Sequence, residues 1–270
     1  MELSERLQAV AHMVTAGNHV CDVGCDHGYI PIYLVRSGIS PGVIAVDCNE
    51  GPLRRAREHI KAFGLEEYIV TRLSDGVAAL EKEEAETLVI AGMGGRLIVR
   101  ILTEGREKVR MMKDLILQPQ SDIAGVRQFL RNEGYAIAEE DMVYEDGKYY
   151  PVIKAVQAPE EDTDGSDRSA RTDRMPEIPQ GLSDAYSPPI WQAACDRYGP
   201  CLLCHRHPVL YRYLLWEQER EETVARRLTA AGEATSRRRE REAELAQSAQ
   251  VRACALACFA SADQTNGRLR

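Results

Sequence analysis

The chain has 270 residues, 44% of them apolar, enough to bury a real core in one large domain or a domain with an appendage. No run of about eighteen apolar residues occurs, which argues against a transmembrane helix. The opening Met1-Glu2-Leu3-Ser4-Glu5-Arg6 lacks the basic-then-apolar order of a signal peptide, so a cytoplasmic location is expected. A formal net charge of -8 does not suggest a nucleic-acid binder, although such binding needs only a local basic patch. The eight cysteines of a cytosolic chain are expected to be reduced. Cys21, Cys25 and Cys48 lie in or beside apolar runs, where Cys behaves as a small hydrophobe.

Residues 19–157 alternate between β-rich runs and helical patterns. Strands are expected at 19–23, 43–47, 69–73, 87–91, 114–118, 135–144 and 149–157. Helices are expected at 29–36, 52–63, 76–80, 95–102 and 123–132. Pro52 suits a first helical turn. The alternation predicts an α/β fold, a Rossmann-like, mostly parallel sheet with helices on both faces. Asp146-Gly147 between the last two strands predicts a tight antiparallel hairpin. A parallel sheet closed by such a hairpin is the outline of a class I methyltransferase; a dinucleotide dehydrogenase normally keeps its sixth strand parallel.

Residues 158–189 are polar and rich in breakers, as in a linker or mobile loop. From Pro208, the positions Val209, Leu210, Tyr213, Leu214, Val224 and Leu228 recur at helical spacing. Gly232 is a plausible turn, and Leu245, Val251, Leu256 and Phe259 mark a second helix over 233–260. Residues 190–260 are therefore expected to form a helical hairpin or coiled coil, with an imperfect seam where Glu217 and Glu221 fall. Residues 261–270 are expected to be a disordered tail.

The most informative segment is Val20-Cys21-Asp22-Val23-Gly24-Cys25-Asp26-His27-Gly28-Tyr29, which reads strand, glycine turn, helix. Gly24 allows a tight turn and close approach of a ligand. The helix that starts near Gly28 points free N–H groups at an anion. The dinucleotide pattern G-x-G-x-x-G is absent, because residue 26 is Asp. That carboxylate would repel a pyrophosphate but could pair with the amino group of S-adenosylmethionine, whose carboxylate would be the anion. Asp47, closing the second strand, can hydrogen-bond ribose hydroxyls. Asp75-Gly76 follows the third strand; Asp75 reads equally as an acceptor for the adenine amino group or as a helix N-cap. Three glycines in Gly92-Met93-Gly94-Gly95, at the carboxyl edge of the sheet, suggest close approach of a ligand, or else a flexible turn before a helix.

These residues carry a resemblance. Asp22-Val23-Gly24-Cys25-Asp26-His27-Gly28-Tyr29-Ile30-Pro31, Gly92-Met93-Gly94-Gly95 and Leu117-Gln118-Pro119-Gln120 resemble the bacterial tRNA (adenine-22-N1)-methyltransferases, the TrmK family. Leu3-Ser4-Glu5-Arg6-Leu7 and Glu145-Asp146-Gly147-Lys148-Tyr149-Tyr150 fit as well, and His207-Pro208-Val209-Leu210 fits loosely. The resemblance implies S-adenosyl-L-methionine as cofactor and tRNA as partner, with a catalytic domain over 1–157 and a helical arm. It departs at 158–189, which is expanded.

Adenine N1 is unprotonated near neutral pH and can attack the methyl group directly, so no strong base is needed there. Asp26 is the candidate to stabilise the cationic product, and Tyr29 to stack on the base. Proximity would supply most of the rate, and the buried adenine must be extruded. Cofactor candidates are Asp22, Gly24, Asp26, His27, Gly28, Asp47, Asp75, Gly76, Gly92 and Met93. Substrate candidates are Arg6, Gly94, Gly95, Gln118 and Pro119, joined by Arg237, Arg238 and Arg239 for phosphates. Residues 197–252 hold eleven Arg, no Lys and eight acids. Intrahelical Glu–Arg pairing is the competing reading, weighed more heavily for Arg220, Arg226 and Arg227. Cys201-Leu202-Leu203-Cys204-His205 contains C-x-x-C-H, but adjacent ligands within so few residues suit neither zinc nor cytosolic haem attachment, and no metal is expected. A monomer is favoured. The alternatives are a methyltransferase for another RNA or a small molecule, a Rossmann oxidoreductase, and a non-catalytic RNA binder.

Overall fold

A computed structural model describes residues 2–158, 177–230 and 235–260. The chain divides into two compact units, Met1–Arg174 and Met175–Arg270.

The first unit is built on seven strands: β1 (Val20–Val23), β2 (Val43–Asp47), β3 (Ile69–Leu73), β4 (Thr87–Met93), β5 (Asp114–Pro119), β6 (Tyr135–Glu145) and β7 (Lys148–Gln157). Their order in the sheet is β3-β2-β1-β4-β5-β7-β6. The first five are parallel, and β7 lies antiparallel between β5 and β6. Strands covered on both faces need apolar residues at nearly every position, and β1, β2 and β5 are buried throughout. Their side chains sort by the two-residue period. Val20, Ala45, Val89 and Ile116 enter one core, and Cys21, Val46, Ile90 and Leu117 the other. The hairpin turn has Asp146 at φ 49° and Gly147 at φ 76°, the two positive φ values that an Asp-Gly turn of this kind requires.

The helices are α1 (Glu5–His12), α2 (Tyr29–Arg36), α3 (Glu50–Ala62), α4 (Gly95–Glu104), α5 (Arg106–Val109) and α6 (Ile123–Asn132). Two of these were not legible beforehand. Ser4 caps α1 by accepting from the Leu7 N–H at 3.4 Å, and the helix buries Ala9, Val10 and Ala11. The four-residue α5 is too short to show a period. The helix expected at 76–80 is absent. Gly76 sits at φ 55°, and the Ser74 hydroxyl takes the Ala79 N–H, so the segment closes as turns.

The second unit contains α7 (Pro188–Tyr198), α8 (Pro200–Cys204), α9 (Pro208–Ala230) and α10 (Ser236–Ala260). Helices α9 and α10 run antiparallel: Tyr211 meets Phe259, and Ser248 donates to Glu221 at 2.6 Å. Glu217, on the seam, accepts from Arg197 of α7 at 2.8 Å and from the Tyr198 hydroxyl at 2.6 Å; Arg252 pairs with Glu221. Leu210 and Leu214 are fully buried, but Val224, expected on the apolar stripe, is exposed. The C-x-x-C of Cys201 and Cys204 forms one turn in α8, and all eight cysteines are free thiols. The expected turn at Gly232, most of the expected linker over 158–189 and the tail 261–270 lie outside the described residues. Among the described residues no helix is long and apolar enough to cross a membrane.

Candidate functional site

The chain leaves β1 toward β2 and β3 on one side, then returns to β4 on the other, so a crevice opens beyond the carboxyl ends of β1, β2 and β4. It forms a cleft of about 580 Å³, a volume that suits a cofactor-sized ligand.

The turn after β1 forms the floor. Gly24 sits at φ 79° and donates its N–H to the Val46 carbonyl at 2.8 Å, tying β1 to β2. A Cβ here would overlap Met93 Cε, so the absent side chain leaves room where two strand ends converge. Gly28, at φ 73°, is the N-cap of α2 and brings no side-chain cap. No acid stands in the first turn of α2, so its leading N–H groups are available to an anion. A Cβ on Gly28 would come within 3.3 Å of Ala56 Cβ, so this glycine also sets how closely α2 approaches α3.

Two carboxylates converge inside the cleft. Asp22 is buried; burial first, and then the facing Asp47 carboxylate, push its carboxyl up to about 7. Asp47 accepts from the Asn49 N–H at 2.9 Å, which fixes its carboxylate at the end of β2. Burial raises the thiols of Cys21 and Cys25, so both act as small apolar side chains. Asp75 pairs with Arg100 at 3.1 Å, and because turns rather than a helix follow, it caps no helix. Gly76 faces Ile101.

The opposite wall depends on a relay. Gln118, fully buried on β5, accepts through Oε1 from both the Gly92 N–H and the Arg6 guanidinium, each at 3.1 Å. Arg6 also lies over the Tyr150 ring, 5.4 Å from its centroid. Gly92, at φ 78°, sits where the β4–β5 register shifts. The glycine run therefore has divided duties. Gly92 and Met93 line the cleft, whereas Gly95 is buried against the Ser121 and Asp122 carbonyls, where no Cβ fits. Gly94 approaches the Ser121 hydroxyl. The close approach at Gly94 and Gly95 is thus to the protein's own Ser121 and Asp122, by side chain for Gly94 and by backbone for Gly95. Gln118 and Pro119 are buried behind the wall.

At the mouth, Asp26 holds φ 39°, pairs with Arg55 of α3 at 2.6 Å and lies 3.5 Å from the His27 ring. His27, Tyr29 and His59 form a ring cluster, with centroids 5.1 Å apart for His27–Tyr29 and 5.6 Å for each of the others. Tyr29 is 38% exposed. Arg55, His59 and Arg100 were missed in the sequence; each sits on a helix far along the chain from its partner, and no spacing signals the meeting.

On the second unit, Arg237 and Arg239 are exposed at the start of α10, and Arg238 between them is partly buried. Intrahelical pairing occurs here, Arg238 with Glu242 at 2.8 Å and Arg241 with Glu244 at 2.7 Å. Among the described residues it does not occur for Arg220, Arg226 or Arg227, which reverses the expected weighting.

The family described as "Methyltransferase domain" matches residues 3–153. The crystal structure of the Bacillus subtilis M1A22 tRNA methyltransferase TrmK superposes with a TM-score of 0.75 at 30% identity, covering 94% of this chain and 98% of that one. The chain belongs to the TrmK-like methyltransferase family. Over 155 residues, 57% of this chain, it is 39% identical to the tRNA (adenine(22)-N(1))-methyltransferase of Bacillus subtilis strain 168; the match spans 65% of that protein, just under two-thirds of its length. A Streptococcus pneumoniae protein, Sp1610, solved in complex with S-adenosyl-L-methionine, shares 30% identity and a TM-score of 0.71 over 94% of this chain and all of that one. The methyltransferase match covers the cleft-bearing unit, and the structural likeness extends into the helical unit.

Proposed function

We propose that this chain methylates N1 of adenine 22 in tRNA, using S-adenosyl-L-methionine. One observation carries the reading: a glycine-floored cleft at the β1–β4 switch point, lined by Asp22, Gly24 and Asp47, in a chain akin to tRNA methyltransferases over nearly its whole length. The residues present fit the cofactor. Gly24 leaves the space that a side chain would fill, the α2 N-terminus receives a carboxylate, and Asp47 accepts from ribose hydroxyls. His27, Gly28, Gly76 and Met93 shape the same cradle, and Asp22 and Asp75 supply acceptors within it.

When bound, the cofactor supplies the electrophilic methyl group. The N1 lone pair needs no base, so this chain's residues position the ring, exclude water and stabilise the cation that forms. Tyr29, backed by His27 and His59, offers a flat, exposed face for the base. Asp26 supplies the carboxylate, oriented by Arg55. The Arg6–Gln118–Gly92 relay holds the opposite wall in place. Arg237 and Arg239, with Arg238 beside them in its pair with Glu242, bring positive charge to phosphates, the enzyme acts in the cytoplasm where tRNA is found, and it works as a monomer. Incubation with labelled cofactor and a tRNA transcript carrying A22, beside an A22→G transcript, tests the reading. Label is expected on the first alone; equal labelling of both would refute the site assignment.

A further inference from the structure

Helix α3 presents Arg55, Ala56 and His59 to the turn that follows β1, and each meets a different residue of that turn. Arg55 pairs with Asp26 at 2.6 Å, Ala56 packs where a Cβ on Gly28 would come within 3.3 Å, and His59 Nδ1 lies 2.9 Å from the His27 main-chain carbonyl. A carbonyl oxygen only accepts, so His59 Nδ1 carries the proton and donates it. The same imidazole lies 5.6 Å, centroid to centroid, from both the His27 and the Tyr29 rings, at interplanar angles of 20° and 15°. The turn needs such support. Gly24, Asp26 and Gly28 hold positive φ, at 79°, 39° and 73°, and a left-handed Asp persists only where its surroundings hold it. Asp26, His27 and Tyr29 line the cleft, whereas Arg55 and His59 do not. The two α3 side chains therefore act on the cleft through the turn.

We infer that His59 is a positioning residue with two separable duties, one for its N–H and one for its ring. The Nδ1–H fixes the His27 carbonyl, and with it the peptide that leads into Gly28 and the free N–H groups at the start of α2, where the cofactor carboxylate is received. The ring backs Tyr29 and so sets the plane on which the extruded adenine stacks. One side chain on α3 thus ties the cofactor's anchor to the base platform and holds methyl donor and acceptor in a common frame. Misplacing the reacting atoms by even about an ångström costs rate steeply. A residue that only filled space would need the ring and give the Nδ1–H no consequence. On the methyltransferase reading above, on which this assignment rests, His59 touches neither cofactor nor base.

Two substitutions in the full-length protein separate the duties. His59→Asn keeps a side-chain N–H where Nδ1 stands and removes the ring; His59→Phe keeps a ring and removes the donor. His59→Phe is expected to weaken S-adenosylhomocysteine binding about fivefold in calorimetry, the worth of one hydrogen bond, and to keep kcat within about twofold of wild type at saturating cofactor. His59→Asn should hold that affinity within about twofold and lower kcat on the A22 transcript about tenfold, because Tyr29 loses its backing. His59→Ala should show both losses. His59 is only partly buried, so all three variants should melt close to wild type. In a wild type that methylates the transcript, any other pattern would overturn the inference: equal losses in both variants, losses in neither, or the two effects exchanged. A wild type that neither binds S-adenosylhomocysteine nor methylates the transcript would instead bring down the functional reading itself, and the role of His59 with it.

Discussion

A methyl group at position 24 would collide with Met93 Cε and force a β-carbon into a backbone at φ 79°. Gly24→Ala is therefore expected to weaken S-adenosylhomocysteine binding by more than about tenfold in calorimetry; an affinity within twofold of wild type would remove this turn from the cofactor site. Asp26→Ala should lower kcat by more than about tenfold while circular dichroism stays native, because Asp26 is exposed and its loss frees surface partners, the Arg55 guanidinium and the His27 ring. A correctly folded variant with wild-type turnover would exclude Asp26 from the chemistry. Asp22 differs in kind. Its carboxyl, raised from 3.8 to about 7 in the folded chain, holds a proton that the unfolded chain releases. Its contribution to stability is full below pH 3.8 and is lost as the pH rises through 7. The cofactor-free wild type should thus lose Tm relative to Asp22→Asn across that window. Parallel melting curves would show that Asp22 does not carry the proton.

At the scale of elements, β1, β2 and β5 were legible because burial on both faces forces near-continuous apolar runs, and β2, β3, α2 and α6 fall at the expected bounds. The turns over 76–80 were not, because a positive φ at Gly76 leaves no trace in periodicity. Gly95 shows how a motif can mislead. It stands in a glycine run beside the cleft, yet its missing side chain makes room for the Ser121 carbonyl. Gly95→Ala should cost about 2–3 kcal/mol in urea unfolding, as overpacking does, and leave cofactor affinity nearly unchanged. The buried pair joining α6 to β6, Arg127 with Glu140 at 2.8 Å, makes a second test at this scale. Glu140→Gln should destabilise by about 3–5 kcal/mol, because Arg127 would keep its charge in a site with 1% side-chain exposure. A loss below about 1 kcal/mol would mean that the charge is otherwise compensated.

For the whole molecule, the cleft lining comes entirely from the first unit, while the arginine-rich helices belong to the second. Cofactor binding and substrate docking should therefore separate by mutation. Glu217→Ala removes the acceptor shared by Arg197, Tyr198 and Tyr213, and should loosen the helical unit and raise KM for tRNA. S-adenosylhomocysteine affinity should stay within twofold; a larger change would show that the units are coupled through that residue.

The amino-acid sequence by itself determined the alternation of strand and helix, the glycine turn after Val23, the Asp-Gly hairpin and the apolar sides of α9 and α10. Each is set by φ/ψ preference and side-chain period over a few neighbouring residues. Only the tertiary structure decided that Asp26 meets Arg55, that Asp75 meets Arg100, that Arg6 reaches Gly92 through Gln118, and that Arg238 meets Glu242 while Arg220 meets no carboxylate among the described residues. Those encounters depend on strand order, parallel register and the angle at which helices cross the sheet, and a through-space partner many residues away imposes no period on the chain between.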